Sequence, residues 1–384
     1  MQLVINTYGS SLRRKGDRFV VKAGERQVAF SAQKVQSIVI ATGAHFSSNV
    51  VELASQHNVD IVFLDKQGNP TARVWQTRLG STATIRRRQI EAAETDEGLR
   101  LVRDWTSSKL ANQNAFLKEL QQRRPDHTGI FDSPLKTLTE CRDKITKLTG
   151  TVDEIRNSLM GLEGSAGRVY FTCLGHIVPA EYQFTGRSRQ PASDPFNAML
   201  NYAYGVLYSL VERSLILAGL DPFVGFLHTD NYNKKSLVFD MIEPFRIIAE
   251  RATVLIFTGR RAKTEFFREV PGGIELAPDG RAYLIAELNK RLDRTVRYQV
   301  QTPRHLPRDT RPTPSPPASE PSDVAESDIT SNGEASKPNK PKFRKLKQRT
   351  IIQHEAHALA NTLLGRNDIP RIVETESLWQ EPAP

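Results

Sequence analysis

Three stretches of this 384-residue chain carry side chains that bind cations: GLEGSAGRVYF (161–171), GFLHTDNYNKKS (225–236) and LVFDMIEPFR (237–246). Asp240 and Glu243 stand three apart, which on a helix projects both carboxylates from one face, and Val238, Phe239, Met241 and Ile242 set that face beside a core. Two carboxylates at a core boundary need a cation. Glu163 is expected at a helix end, where Gly164, Ser165, Ala166 and Gly167 would let a phosphate backbone approach and Arg168 offers an anion partner. His228 closes the apolar run FVGFLH (223–228), so its imidazole should emerge at the edge of the packed interior. Carboxylate oxygens with one imidazole suit Mg²⁺ or Mn²⁺ better than Zn²⁺. Taken singly, each group has a plainer reading: Glu163 as a helix-terminal charge, His228 as a hydrogen-bonded core histidine, Asp240 and Glu243 as a face ion-paired with Arg246. It is the combination that favours a site.

The elements that must position these groups follow from periodicity. LVINTYG (3–9), RFVVKAG (18–24), QVAFS (27–31) and VQSIVIA (35–41) alternate as short antiparallel strands. A brief helix is expected to open at Asn49 with Glu52 as its reciprocal cap, before strands return at VDIVFLD (59–65) and TARVWQT (71–77). After Gly80 the period becomes helical, through Ile85, Ile90, Leu99, Val102, Trp105, Leu110, Phe116, Leu117 and Leu120. Asp132-Ser133-Pro134 reads as a helix start, Thr151 with Glu154 as a capping box for a helix to Gly161, and Asp194-Pro195 as the start of another that stops at Gly219. The fold class is therefore α+β: a small N-terminal antiparallel β domain (1–78), then a larger all-α catalytic domain (79–301). Residues 302–342, rich in Pro, Ser, Thr, Asp and Glu, read as a disordered insert. A basic segment and C-terminal helix (343–384) follow, with seven basic and no acidic residues from Lys337 to Arg349.

Composition narrows the function. A formal charge of +10 from 53 basic and 43 acidic residues attracts a polyanion, with nucleic acid the leading candidate. Two distant cysteines, Cys141 and Cys173, argue against a disulfide scaffold or a zinc ribbon and fit a reducing cytoplasm. Nothing approaches the ~18 apolar residues that span a bilayer.

The ordered motifs E-G-S-A-x-R-x-Y-F (Glu163 to Phe171, through Gly167 and Val169), DPFNAMLNYAYG (194–205), GLDPFVGFLH (219–228) and SLVFDMIEPFR (236–246) closely resemble the CRISPR-associated integrase of spacer acquisition, the first Cas protein family. The likeness covers about residues 1–300 and resumes at IIQHEAHALANTLLG (351–365). The resemblance implies a DNA endonuclease and integrase that inserts short duplexes into a CRISPR array. It implies a homodimer, a small ferredoxin-like second Cas partner, and Mg²⁺ or Mn²⁺. The family's metal-binding Glu, His and acidic residue fall on Glu163, His228 and Glu243, and its additional acidic residue on Asp240, where it joins the metal or tunes it. Many members have aspartate where this chain has Glu243.

Candidate DNA contacts are Arg168, Tyr170, Arg187, Arg189, Asn197, Lys234 and Lys235, with solvation or core packing as the ordinary alternative for each. Two competing functions stay open on the residues: a transposon-borne integrase of the same fold, and a DNA-binding scaffold whose acidic cluster only stabilises the fold.

Overall fold

The apolar run SIVI (37–40) forms the strand around which the N-terminal unit is built. In the computed structural model, which describes residues 2–366 apart from 36, 66, 67, 69, 75–81, 126–128, 183, 189, 190, 229–233 and 301–341, the unit contains β1 (Gln2–Ile5), β2 (Ser10–Lys15), β3 (Arg18–Ala23), β4 (Arg26–Ser31), β5 (Ser37–Ile40), β6 (Ala44–Phe46), α1 (Ser48–Gln56), β7 (Asp60–Leu64) and β8 (Pro70–Val74). They make two sheets, β1-β5-β7-β8 and β4-β3-β2-β6. The expected antiparallel order holds for β2 to β4, but β1, β5 and β7 run parallel to one another and β6 runs parallel to β2. The reason is burial on both faces. Ile38, Ile40 and Ile61 enter the N-terminal core, while the alternate Val39, Val62 and Leu64 join the core of the helical region. Strands covered on both sides lose the polar alternation of a half-exposed sheet and read as continuous apolar runs. Strand β2, SSLRRK, escapes sequence reading because only Ser10 and Leu12 of it are buried. The N-cap position of α1 is Ser47 rather than Asn49, without a side-chain capping hydrogen bond, and Glu52 pairs with Arg14 at 3.3 Å.

The helical region holds α2 (Thr82–Ala93), α3 (Asp96–Gln122), α4 (Gly129–Thr146), α5 (Val152–Ile177), α6 (Pro195–Leu217), α7 (Ser236–Met241), α8 (Arg246–Thr258), α9 (Pro278–Leu292) and α10 (Gln348–Leu363). Helix α4 begins earlier than Asp132, leaving Pro134 inside it. Pro134 has no N–H for the carbonyl of Ile130. The Cys173 thiol, which burial pushes up to about 11, donates to that carbonyl instead at 3.6 Å. The Thr151 and Glu154 box is present, yet its helix α5 runs through the glycines to Ile177. Asp194 caps α6 by accepting from the Asn197 amide, and Gly219 closes the turn beyond it at φ 84°. Ile90 points outward, 57% exposed, off the apolar face.

The region is not all helical. Strands β9 (Phe267–Val270) and β10 (Gly273–Leu276) form a hairpin, and the basic KFRKLK becomes β12 (Lys342–Lys347), paired antiparallel with β11 (Thr295–Val300). The expected insert between them lies outside the described residues. The β sheet is tied to α6 by Arg73, which reaches Asp60, the Ser209 carbonyl at 2.9 Å and Glu212 at 3.3 Å, and by Arg213 with Asp60 at 2.7 Å.

Beneath the β11–β12 ribbon, Tyr298 donates to buried Glu355 at 2.6 Å. Burial raises the Glu355 carboxyl from 4.5 to about 7 against the lowering effect of that hydrogen bond. A carboxyl raised by folding favours the fold below its unfolded pKa, and this is lost as pH rises through the folded value. Between pH 4.5 and about 7 the group is expected to withdraw about 3 kcal/mol of stability, and Glu355→Gln to remove that slope. Urea midpoints at the two ends of the window give the measurement; an unchanged slope in the variant counts against it.

Candidate metal centre

The loop that ends in His228 is built around one carboxylate. Asp240, on α7, accepts from the backbone amides of Phe226 at 2.6 Å and Leu227 at 3.1 Å through Oδ2. Through Oδ1 it accepts from the His228 amide at 3.2 Å and from the His228 ring Nδ1 at 2.5 Å. Only glycine fits at 225, because a Cβ there would stand 2.5 Å from the Ser236 Cβ and 3.0 Å from Asp240 Oδ2. Four donors use the four acceptor directions of a carboxylate, so the acceptor capacity of Asp240 is spent on positioning the His228 loop. It accepts from His228 Nδ1 and leaves Nε2 as the ring nitrogen directed away from the carboxylate, the orientation found behind metal-bound histidines.

Glu243 takes a different direction. Helix α7 ends at Met241, and Pro244 throws Glu243–Phe245 into a 3-10 turn, so Asp240 and Glu243 do not share a helical face as their spacing suggests. Glu243 is buried between two cations: Arg246 Nη2 at 2.8 Å and Lys109 Nζ at 2.7 Å. Burial works against its charge, but Arg246 and Lys109 outweigh that and hold its carboxyl down to about 2. Lys109, on α3, also pairs with Glu163. Arg246 is pinned by the Tyr208 hydroxyl at 2.9 Å and lies over the Tyr204 ring at 4.9 Å. Glu163 lies near the middle of α5, not at its end. On that helix a Cβ at Gly161, Gly164 or Gly167 would meet nothing within 4 Å, and Gly167 stands one turn from Glu163 on its side of the helix.

The two pairs are gathered by α3. Its Trp105 packs on Phe226 at 5.9 Å, Lys109 joins Glu163 and Glu243, and Asn112 donates to the Pro244 carbonyl at 2.9 Å. From α5, Arg156 donates to the Leu227 carbonyl at 2.8 Å. The structure thus brings Glu163 to Glu243 and His228 to Asp240. Among the described residues no three histidine, cysteine, aspartate or glutamate side chains stand close enough to share one ion. The chemistry of the donors nevertheless suits a hard divalent cation. Glu163 and Glu243 already share one cation position, with the Lys109 ammonium 2.7 Å from buried Glu243 Oε2.

The model of the family described as CRISPR associated protein Cas1 matches residues 3–290. This chain belongs to the Cas1 family. A CRISPR-associated endonuclease Cas1 of Archaeoglobus fulgidus is 32% identical over 312 residues, covering 78% of this chain and 90% of that protein. Among solved structures, a casposase bound to integration product superposes with a TM-score of 0.76 at 20% identity, over 100% of this chain and 96% of that one. A Cas1 protein from Thermotoga maritima gives 0.69 at 19% identity, over 95% and 98%. At these identities the two structures show a shared fold.

In this Cas1-family chain the candidate DNA contacts divide. Tyr170 is fully buried, so its ring cannot stack on a nucleotide; it packs edge-on against Phe171 at 5.0 Å, and burial drives its hydroxyl well above the usual range. Asn197, also fully buried, orders its own loop, donating to Gly186 O at 2.8 Å and Asp194 at 2.6 Å and accepting from Arg187 and the Ser188 amide. Arg187 bonds Asn201 at 2.7 Å and lies 5.5 Å over the Phe171 and Tyr204 rings while still exposed. Lys235 pairs with Glu212 at 2.8 Å, and Lys234 lies 5.8 Å over Phe239. Arg168 is exposed on α5, five residues beyond Glu163. Arg189 lies outside the described residues. Sequence reading missed Lys109. Its signal is faint: Lys109, Asn112 and Gln113 interrupt the helical stripe that Trp105 and Phe116 continue. No described helix is long and apolar enough to cross a membrane.

Proposed function

We propose that this chain is a divalent-metal-dependent DNA endonuclease and integrase that inserts short duplexes into a CRISPR array, with a DNA 3′-hydroxyl attacking a phosphodiester. The observation that carries it is the carboxylate pair Glu163 and Glu243, set around one cation position by the same helix that packs against the His228 loop. Family membership and the endonuclease named in Archaeoglobus fulgidus support the reading. The proposed ligands of Mg²⁺ or Mn²⁺ are Glu163, His228 and Glu243. Such an ion would polarise the target phosphate and neutralise charge on the leaving 3′ oxygen.

The chain's own residues supply the rest. Asp240 holds His228 through Nδ1 and so turns Nε2 away from the carboxylate. Arg246, fixed by Tyr208, keeps one positive charge beside Glu243. The open glycine face of α5 lets a phosphodiester come close to Glu163. No protein side chain need act as the nucleophile, because the DNA hydroxyl does. A homodimer working with a small ferredoxin-like Cas partner completes the proposal, and the net charge of +10 fits a DNA substrate.

The test is strand transfer of an end-labelled duplex into a plasmid carrying a CRISPR repeat, with the partner protein, in Mn²⁺ or in EDTA. Joined product is expected in Mn²⁺ and none in EDTA. Joining that survives chelation removes the metal from the proposal; firm binding with no covalent product in either condition favours a scaffold.

A further inference from the structure

Among the described residues, Lys109 is the one side chain that touches both proposed carboxylate ligands, Glu163 and Glu243. We infer that Lys109 is a built-in competitor for the divalent ion: its ammonium holds the position between Glu163 and Glu243, is displaced when the ion binds, and then serves as a cationic contact for the substrate phosphate. The inference rests on the metal-site reading above.

The charges argue for displacement. Two carboxylates, Lys109 and Arg246 sum to zero. A divalent ion bound to the same oxygens would face an ammonium at contact range in a site that is mostly buried, where repulsion is weakly screened. One of the two cations must leave. Arg246 is held by the Tyr208 hydroxyl and by two aromatic faces, at 4.9 Å from Tyr204 and 5.5 Å from Tyr208. Among the described residues Lys109 is held only by the carboxylates in question. It is a point charge on a flexible four-carbon stem, so it can swing without moving α3. It is also partly open, 12% exposed, beside Glu163 at 24%, so it can leave toward solvent on the Glu163 side. The same displacement accounts for His228 standing apart from the carboxylates: with the ammonium between them, Glu163 and Glu243 are directed at Lys109 rather than at a third ligand.

The experiment is Mn²⁺ binding by calorimetry on the full chain, comparing native protein with Lys109→Met, which keeps the stem and removes the charge. Lys109→Met is expected to bind Mn²⁺ at least tenfold more tightly, a gain that loss of a merely structural ion pair would not produce. Equal or weaker binding by a folded Lys109→Met protein overturns the inference. Glu243→Gln separates the two readings: if native, Lys109→Met and Glu243→Gln chains bind Mn²⁺ alike, the metal site itself is wrong. Should Lys109→Met not fold, amine acetylation of the native chain read by mass spectrometry decides. Labelling of Lys109 should rise several-fold on saturation with Mg²⁺, and unchanged or reduced labelling overturns the inference.

Discussion

Replacing His228 with alanine is expected to lower Mn²⁺-dependent strand transfer on the order of a thousandfold while leaving duplex binding and thermal unfolding unchanged. The two halves of that expectation come from different features. His228 is 22% exposed and, among the described residues, its ring hydrogen bond goes only to Asp240, so removing the ring leaves no described buried donor stranded and opens little core. Asp240 keeps its three backbone partners at Phe226, Leu227 and His228, so the loop retains its shape. What disappears is Nε2, the proposed nitrogen ligand. Gel assays of joining and binding, read beside a melting curve, check this. A folded variant that binds DNA and joins it as fast as the native chain would remove His228 from the site.

Asp240 should show the reverse balance of effects. Asp240→Ala strands the amides of Phe226 and Leu227 in the interior together with the His228 amide at its edge, and each unsatisfied buried donor costs about 1–3 kcal/mol. A loss of about 3–5 kcal/mol of unfolding free energy is expected, measured from denaturant midpoints at constant slope. Asp240→Asn keeps the shape and one acceptor oxygen but presents an amide N–H₂ to one set of donors. It should fold better than the alanine variant yet weaken Mn²⁺ binding about 10- to 100-fold, because the orientation and tautomer of His228 are no longer held. An alanine variant as stable as the native chain would show that the loop does not depend on this carboxylate. An asparagine variant with native Mn²⁺ affinity would show that His228 does not depend on it.

Much of the architecture is legible in the residues because local rules and tertiary packing agree there. The capping box at Thr151 and Glu154, the Asp194-Pro195 start of α6 and the stop at Gly219 all involve partners a few residues away, and all are observed. The parallel pairing of β1, β5 and β7 was not legible, since it depends on which layers cover each face rather than on the strands themselves. The length of α5 was misread for a similar reason. Three glycines argue for a helix end by propensity, but Ala166, Tyr170, Cys173 and Leu174 are buried, and that packing outweighs a cost of about 1 kcal/mol per glycine.

The centre follows the same division. Residue types, their order and the resemblance they carry pick out Glu163, His228, Asp240 and Glu243, and the family match agrees with that resemblance. How those side chains divide is decided only in three dimensions. Asp240 spends all its acceptor capacity on the His228 loop, Glu243 turns away through the Pro244 bend, and Lys109, 54 residues before Glu163, arrives on another helix to join the carboxylates. Sequence spacing reports which groups lie on one face of one element. An ammonium placed between carboxylates from two other elements is a consequence of helix packing, and no local pattern encodes it.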